Sequence, residues 1–420
     1  MTSGAAGLLT TLPGFVNAHL HSPFAPYRGV TRTRPFEMWF ADRAARQEGQ
    51  PTPDEMAACA LITGLENLVA GNTAIIDHVF VPQTREHIYP IAKAYEALGL
   101  RAWVFVDVTD LPRLCYTREA FPRYAKAIPT AELPEEMQPL VQPPPRYEDQ
   151  LNAVADIVRG WRGQRVKIGL ALSSPVWCSD GLLRDAAALA RDLDSPIEIH
   201  AEESPVQREV SLAQWGMSGI QRLAHLGVLS ERTIVAHVVQ IDDADIRLLA
   251  QHRTSVSHNP ISNLKLQNGV APAGRMLAAG VNVCLGTDAQ ASGDSQSLFP
   301  VLKFVAALAG LNGLRQLGGA VEETALAMAT DNGRRLWFDG DLSRDYMEFG
   351  VPIGPYAYAW DDPAPLIAEV YVDGQPRLAQ ARHHLRQSGA AEVVAGLMAQ
   401  TVAPDKLARA ERLARYAQSR

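Results

Sequence analysis

Short apolar runs of strand length recur along this chain, and each is followed by a segment with helical signals. That alternation constrains the fold most, because parallel strands need a crossover between them and a helix is the usual one. The first run is Leu12 to Ala18, in a strand that ends at His21. The others are Thr73 to Asp77, Arg101 to Val106, Val166 to Leu172, Pro196 to His200, Thr233 to His237, Thr254 to His258 and Asn282 to Gly286. Helices are expected from Thr52 to about Ala70, Thr84 to Leu98, about Glu148 to Gly163, Asp180 to Leu193, Pro205 to Leu226, Asp242 to Gln251, near Gly274 to Ala279, and from about Ser295. Thr52-Pro53-Asp54-Glu55 is a helix start, with Thr52 as N-cap, Pro53 in the first turn and Glu55 at the capping-box position. Eight strands each followed by a helix predict an α/β chain folded as a (β/α)8 TIM barrel.

Two stretches leave this rhythm. Asp107 to Tyr147 is proline-rich, with Pro143-Pro144-Pro145, and reads either as an insertion over the barrel mouth or as a surface excursion. Between Gly163 and about Arg335 the alternation is regular, and after Arg335 it stops. The expected division is a barrel over 12–335 and a C-terminal part over 336–420. That part holds a hairpin in Leu366 to Leu378, turning at Asp373-Gly374, and peripheral helices from Gln380.

Composition narrows the partners. The formal charge is -7 and no Lys/Arg run offsets it, which argues against nucleic acid. The cysteines Cys59, Cys115, Cys178 and Cys284 are scattered, as expected of free thiols in a reducing cytoplasm. The N-terminal residues lack a signal-peptide pattern, and no apolar stretch is long enough for a bilayer, so a cytoplasmic protein without a membrane partner is expected.

The polar residues that stand out sit at strand ends, where (β/α)8 enzymes gather their chemistry. Strand period 2 puts His19 and His21 on one face. His200 ends the fifth strand, His237 the sixth, and Asp288 follows the eighth in Leu285-Gly286-Thr287-Asp288. Singly, each could be a satisfied polar residue or a cap. Together, histidines plus one carboxylate have the ligand chemistry of a catalytic zinc or iron(II) site. Glu203, three residues after His200, can lean over such a metal without binding it and carry a proton between an activated water and the substrate. Glu202 is placed to point away.

These motifs resemble those of the amidohydrolase superfamily. The resemblance rests on Pro13-Gly14-Phe15-Val16-Asn17-Ala18-His19-Leu20-His21, on His200-Ala201-Glu202-Glu203, on Ala236-His237 and on Gly286-Thr287-Asp288. The block from Ser257-His258-Asn259-Pro260 to Leu266 is similar to the branch holding guanine, cytosine and adenosylhomocysteine deaminases and triazine chlorohydrolases. The resemblance implies one divalent metal per chain, zinc first and iron(II) second, bound by His19, His21, His200 and Asp288. It implies Glu203 as proton shuttle, His237 as polariser of the attacked centre, and Asp288 as both ligand and base. Asn263 and the turn at His258 would line the pocket. No lysine stands at the end of the fourth strand, where Leu170-Ala171-Leu172-Ser173 is found, in keeping with a single metal. The chain departs from the branch in three places. About a dozen residues precede Pro13, so the small β-sandwich of the family is expected to be incomplete or differently built. Leu172-Ser173-Ser174-Pro175-Val176-Trp177 replaces a His-containing block of purine deaminases, and Ala289-Gln290-Ala291 follows Asp288.

The resulting expectation is a hydrolase that deaminates a small nitrogen heterocycle of purine, pyrimidine, pterin or triazine type, by attack of a metal-activated water on an sp2 carbon. Trp39, Glu37, Trp177 and Arg208 are candidate substrate contacts. The alternatives are hydrolysis of a cyclic amide or imidazolone C–N bond, hydrolytic dechlorination, and a non-catalytic barrel. A homodimer or higher homo-oligomer is expected from the family resemblance.

Overall fold

The computed structural model describes residues 8–47, 49–113, 116–133, 141–142 and 144–408. Strands β1 (Leu9–Pro13) and β2 (Phe15–Leu20) come first. They are followed by β3 (Asn72–Val79), β4 (Arg101–Val108), β5 (Val166–Leu172), β6 (Ile197–Ala201), β7 (Thr233–His237), β8 (Ser255–His258) and β9 (Val283–Leu285). Strands β2 to β9 pair in sequence order, all parallel, and helices alternate with them. This is the (β/α)8 barrel expected. Its edges are joined where they meet: the Asp288 N–H donates to the His19 carbonyl (3.0 Å), and the Thr287 N–H donates to Asn17 Oδ1 (3.0 Å). Asn17 Nδ2 in turn donates to Thr287 Oγ1 (2.8 Å). The closure therefore sets Asp288 directly beside the strand that carries His19 and His21.

The apolar run from Leu12 to Ala18 is not one strand, which corrects the sequence reading. It breaks at Gly14, whose N–H donates to the Asp345 carbonyl (2.9 Å) while the Phe15 N–H donates to the Gly71 carbonyl (3.0 Å). A Cβ on Gly14 would lie 2.4 Å from Thr73 Oγ1, so only glycine lets the chain cross here from one sheet to another. On the far side, β1 joins β10 (Tyr346–Ile353), β11 (Ile367–Val372) and β12 (Gln375–Pro376) in a four-stranded antiparallel sheet. The β11–β12 hairpin turns at Asp373 (φ 56°) and Gly374 (φ 69°), the backbone pair a two-residue hairpin favours. Buried Arg101, at the start of β4, fastens this sheet to the barrel through Asp345 (2.8 Å) and Asp373.

The segment after His21 reads as a long loop in the sequence; the structure corrects this, with a 3-10 turn (Ser22–Tyr27) and a helix (Phe36–Arg46) that holds Glu37 and Trp39. Within the 107–147 stretch, Phe121, Tyr124 and Ala127 pack into one buried aromatic cluster with Phe24, Phe36, Trp39, Phe40 and Trp177. Part of that stretch, including Pro143, lies outside the described residues, as does Cys115. Cys59, Cys178 and Cys284 are buried free thiols. The helices Leu378–Ser388 and Ala390–Thr401 pack on the helix Pro53–Val69. No helix among the described residues is long and apolar enough to cross a membrane.

Candidate functional site

Four imidazoles converge at the C-terminal mouth of the barrel, and each is fixed through Nδ1. His19 Nδ1 lies 2.6 Å from Glu198 Oε1, His21 Nδ1 2.6 Å from the His78 carbonyl, His200 Nδ1 2.9 Å from the Ser173 carbonyl and His237 Nδ1 2.9 Å from Asn263 Oδ1. A carbonyl only accepts, so His21 and His200 donate from Nδ1 and, when neutral, present bare Nε2 lone pairs. Burial, reinforced by the neighbouring imidazoles, holds both rings well below the usual histidine pKa, so they are neutral. Their Nε2 atoms nevertheless face each other at 3.2 Å, and His19 Nε2 is buried with no hydrogen-bond partner among the described residues. Asp288 Oδ1 stands 3.5 Å from His21 Nε2 and 3.8 Å from His19 Nε2. Inward lone pairs flanked by a carboxylate fit a divalent cation, and both the trio His19, His21, His200 and the trio His19, His237, Asp288 bring ligand atoms within 4.8 Å of one another.

The charge balance agrees. Asp77, Asp107, Glu198, Glu203 and Asp288 are all buried around this point. Among the described residues only Asp107 has an arginine against it, Arg113. Burial, with Asp77, Asp288 and Asp107 adding to it, pushes the Glu198 carboxyl up to about 8, and burial raises Asp77 to about 6. Burial opposes ionisation of Asp288 too, but His21, His237, His19 and the Ser262 hydroxyl (2.5 Å) outweigh it and hold this carboxyl below the usual range.

The backbone at the site is strained. Glu202, His237, Val238 and Asp288 have φ of 50°, 76°, 42° and 61°, a region side-chain-bearing residues avoid at a cost of about 1–3 kcal/mol each. All lie where β6, β7 and β9 end. The strain re-aims side chains: Glu202 turns away to the Gly219 N–H and Arg208, while Glu203 turns inward.

Glu203 is buried, accepts from Asn268 Nδ2 (3.2 Å) and lies 3.9 Å from His237 Nε2. Burial first, then Asp288 and Glu37, push its carboxyl well above the usual carboxylate range. It opens into a narrow cavity lined by His21, His200, His237 and Asp288 together with Phe24, Phe36, Trp39, Phe40, Phe80, Trp177 and Leu266.

Of the sequence-derived substrate contacts, Trp39 and Trp177 line this cavity. Glu37 is half-buried, is not among the residues lining the cavity, and accepts a hydrogen bond from the Ser204 hydroxyl. Arg208 is held away by Glu202, Asp242 and Asp245. Asn263 holds His237 instead of facing the cavity, and His258 is buried outside it. The sequence reading missed Glu198, His78 and Asp107. Glu198 Oε2 lies 3.6 Å from His78 Nδ1, and His78 Nε2 lies 2.9 Å from Asp107 Oδ1. Period 2 was the available signal for Glu198, which shares its strand face with His200. Glu198→Ala is expected to weaken metal retention by about 10–100-fold, because it frees the His19 ring. Chelator competition measures this, and wild-type affinity would assign Glu198 a purely structural place.

The family model described as "Amidohydrolase family" matches residues 10–336. The 5'-deoxyadenosine deaminase of Methanothermobacter thermautotrophicus is 32% identical over 327 residues, 77% of this chain and 68% of that protein. The 5-methylthioadenosine/S-adenosylhomocysteine deaminase of Thermococcus kodakarensis is 30% identical over 323 residues, 77% and 68%. The crystal structure of an adenosine deaminase from Xanthomonas campestris with bound zinc shares the fold at a TM-score of 0.71 and 23% identity, covering 93% of this chain and 86% of that one. The atrazine chlorohydrolase of Arthrobacter aurescens complexed with zinc does so at 0.74 and 19%, covering 91% and 88%.

Proposed function

This chain belongs to the amidohydrolase family, and on that premise we propose that its cavity hydrolytically removes the amino group from an sp2 carbon of a small nitrogen heterocycle, with adenine nucleosides as the favoured class. One observation carries the reading: Glu203, a buried carboxyl with a raised pKa, shares the cavity with the imidazole cluster and Asp288. Hydrolytic deamination needs a group that holds a proton at neutral pH beside a group that does not, and these two carboxyls are driven apart in that way. The deaminase names of the relatives at 30–32% identity support the choice of an adenine nucleoside.

We assign His19, His21, His200 and Asp288 as ligands of one divalent ion, zinc before iron(II). When bound, that ion supplies Lewis acidity that activates a water near neutral pH. Asp288, kept ionised, takes one proton from the attacking water. His237, fixed by Asn263, turns Nε2 toward Asp288 (4.0 Å) and Glu203 (3.9 Å) and positions that water. Glu203 gives its proton to the ring nitrogen beside the attacked carbon, which becomes tetrahedral. Asp288 returns its proton to the departing amine, and Glu203 recovers one from the new hydroxyl as the carbonyl forms. One water is consumed and one ammonia released. The aromatic wall stacks on the heterocycle and keeps bulk water out.

The test is ammonia release by the metal-loaded protein over adenosine, 5'-deoxyadenosine, guanine, cytosine, a pterin and an aminotriazine. Ammonia from an adenine nucleoside, one per turnover, is the expected result. Stoichiometric metal with no ammonia from any of the six would overturn the deaminase reading and move weight to the cyclic-amide or dechlorination chemistry.

A further inference from the structure

Behind the imidazole cluster, three neighbouring strands bring one carboxylate to the backs of two ligand rings. Asp107 stands next to the end of β4 and is buried. His78 lies near the end of β3 on one side of it, and Ser173 follows β5 on the other. His78 Nε2 is 2.9 Å from Asp107 Oδ1, and the Ser173 hydroxyl donates to both Asp107 oxygens, at 2.8 Å each. The Ser173 N–H also donates to the Val108 carbonyl (3.2 Å), which pins the end of β5 to the strand that carries Asp107.

His78 and Ser173 are the two residues whose carbonyls fix ligand rings. His21 Nδ1 donates to the His78 carbonyl (2.6 Å), and His200 Nδ1 donates to the Ser173 carbonyl (2.9 Å). An imidazole can rotate until one of its nitrogens is fixed, so the acceptor at Nδ1 sets where Nε2 points. The 3.2 Å between the two Nε2 atoms is therefore set from behind, through two residues that share one carboxylate. His78 reaches the third ring as well: its Nδ1 is 3.6 Å from Glu198 Oε2, and Glu198 Oε1 is 2.6 Å from His19 Nδ1. Asp107 is held in turn by Arg113. The Arg113 guanidinium lies over the Phe80 ring at 5.1 Å, and that ring packs on His21 at 5.0 Å and on His78 at 4.7 Å.

We propose that Asp107 is the positioning residue of the metal centre: through His78 and Ser173 it sets the aim of His21 and His200 as one unit, and Arg113 sets Asp107. The proposal rests on the metal reading above and deepens it. It concerns the geometry of the ligands and is independent of which substrate the cavity takes.

The test reads the metal rather than turnover. It measures zinc affinity by chelator competition and the visible spectrum of the cobalt(II)-loaded protein, whose bands follow ligand geometry. Asp107→Asn keeps the shape of the side chain and is expected to weaken zinc binding by about 10–100-fold and to shift the cobalt bands. Ser173→Ala keeps the carbonyl that His200 uses and is expected to weaken binding by a smaller factor. The double variant should bind zinc no more weakly than Asp107→Asn alone, because the serine hydroxyl acts through the carboxylate. Asp345→Asn is the control: Asp345 is equally buried but pairs with Arg101 (2.8 Å) at the other end of β4. It should lower Tm and leave zinc affinity and cobalt bands at wild-type values. Wild-type affinity and bands in Asp107→Asn would overturn the proposal. So would equal losses in Asp345→Asn, or full additivity of the Asp107 and Ser173 effects. If Asp107→Asn fails to fold, Ser173→Ala and Arg113→Met decide, and wild-type affinity and bands in both would overturn it. A wild type that takes up no metal would overturn the metal centre and this proposal together. Metal bound with the expected variant effects, but no ammonia from adenine nucleosides, would leave the proposal standing and overturn the deaminase reading for that class alone.

Discussion

Glu203→Gln is expected to lower kcat/KM by about 10³-fold while metal content stays at the wild-type value. The substitution keeps shape and keeps an oxygen for Asn268 Nδ2, which donates to Glu203 Oε1 (3.2 Å). It removes only the capacity to hold and release a proton. That capacity exists because burial, with Asp288 and Glu37 behind it, pushes the Glu203 carboxyl well above the usual carboxylate range, whereas Asp288, on the other side of His237 Nε2, is held below it. A deaminase that lost this proton carrier would still bind its heterocycle, so the defect should fall on kcat, with KM close to wild type. Metal analysis beside the kinetics decides between roles. A loss of metal would make Glu203 part of the ligand cage. A fall in kcat/KM of less than ~10-fold would move the proton transfer to His237. Glu202→Gln is the control next door: Glu202 accepts from the Gly219 N–H and Arg208, so its loss should lower Tm and leave the chemistry in place.

The parts of this site legible in the sequence are those that strand periodicity fixes. His19 and His21 point one way because a strand alternates, and His200, His237 and Asp288 stand at strand ends because a barrel presents its C-terminal edge to solvent. The same rule puts Glu198 on the face of His200, but a carboxylate inside a strand has no meaning until His19 is seen 2.6 Å away, across the barrel. His78 and Asp107 are hidden for the same reason: their partnership joins residues that only adjacent strands bring together. The break at Gly14 was masked by hydrophobicity, since both sheets bury their share of Leu12 to Ala18 and the apolar run continues through the crossing. The helix Phe36–Arg46 lacks a capping side chain at Pro35, so no start signal announced it, although Phe36, Trp39, Phe40 and Arg43 recur at helical spacing. That omission mattered, because this helix supplies Phe36, Trp39 and Phe40 of the aromatic wall. For Arg208, sequence could not show the three carboxylates, Glu202, Asp242 and Asp245, that hold its guanidinium.

Removal of the divalent ion is expected to abolish turnover and to lower Tm, with both restored by adding metal back. The reason lies in what the folded chain keeps together without it. Neutral His21 and His200 hold Nε2 lone pairs 3.2 Å apart, His19 Nε2 has no partner among the described residues, and five buried carboxyls cluster round them. A cation bound only by the native state stabilises it by mass action, about 4 kcal/mol when its free concentration is a thousand times Kd. Tm should therefore climb with the logarithm of metal concentration, and thermal melts of chelator-treated protein titrated with zinc or iron(II) would show it. His200→Ala should flatten that dependence, because it removes one of the facing lone pairs while leaving the strand β6 backbone intact. Glu203→Gln should preserve it, since Glu203 faces the cavity without standing among the ligands. A Tm indifferent to metal in the wild type would mean that the convergence at the barrel mouth is held by the Nδ1 hydrogen bonds and packing alone, without a cation. A metal-dependent Tm in wild type and Glu203→Gln, lost in His200→Ala, would tie stability and chemistry to the same imidazoles by different atoms of the same site.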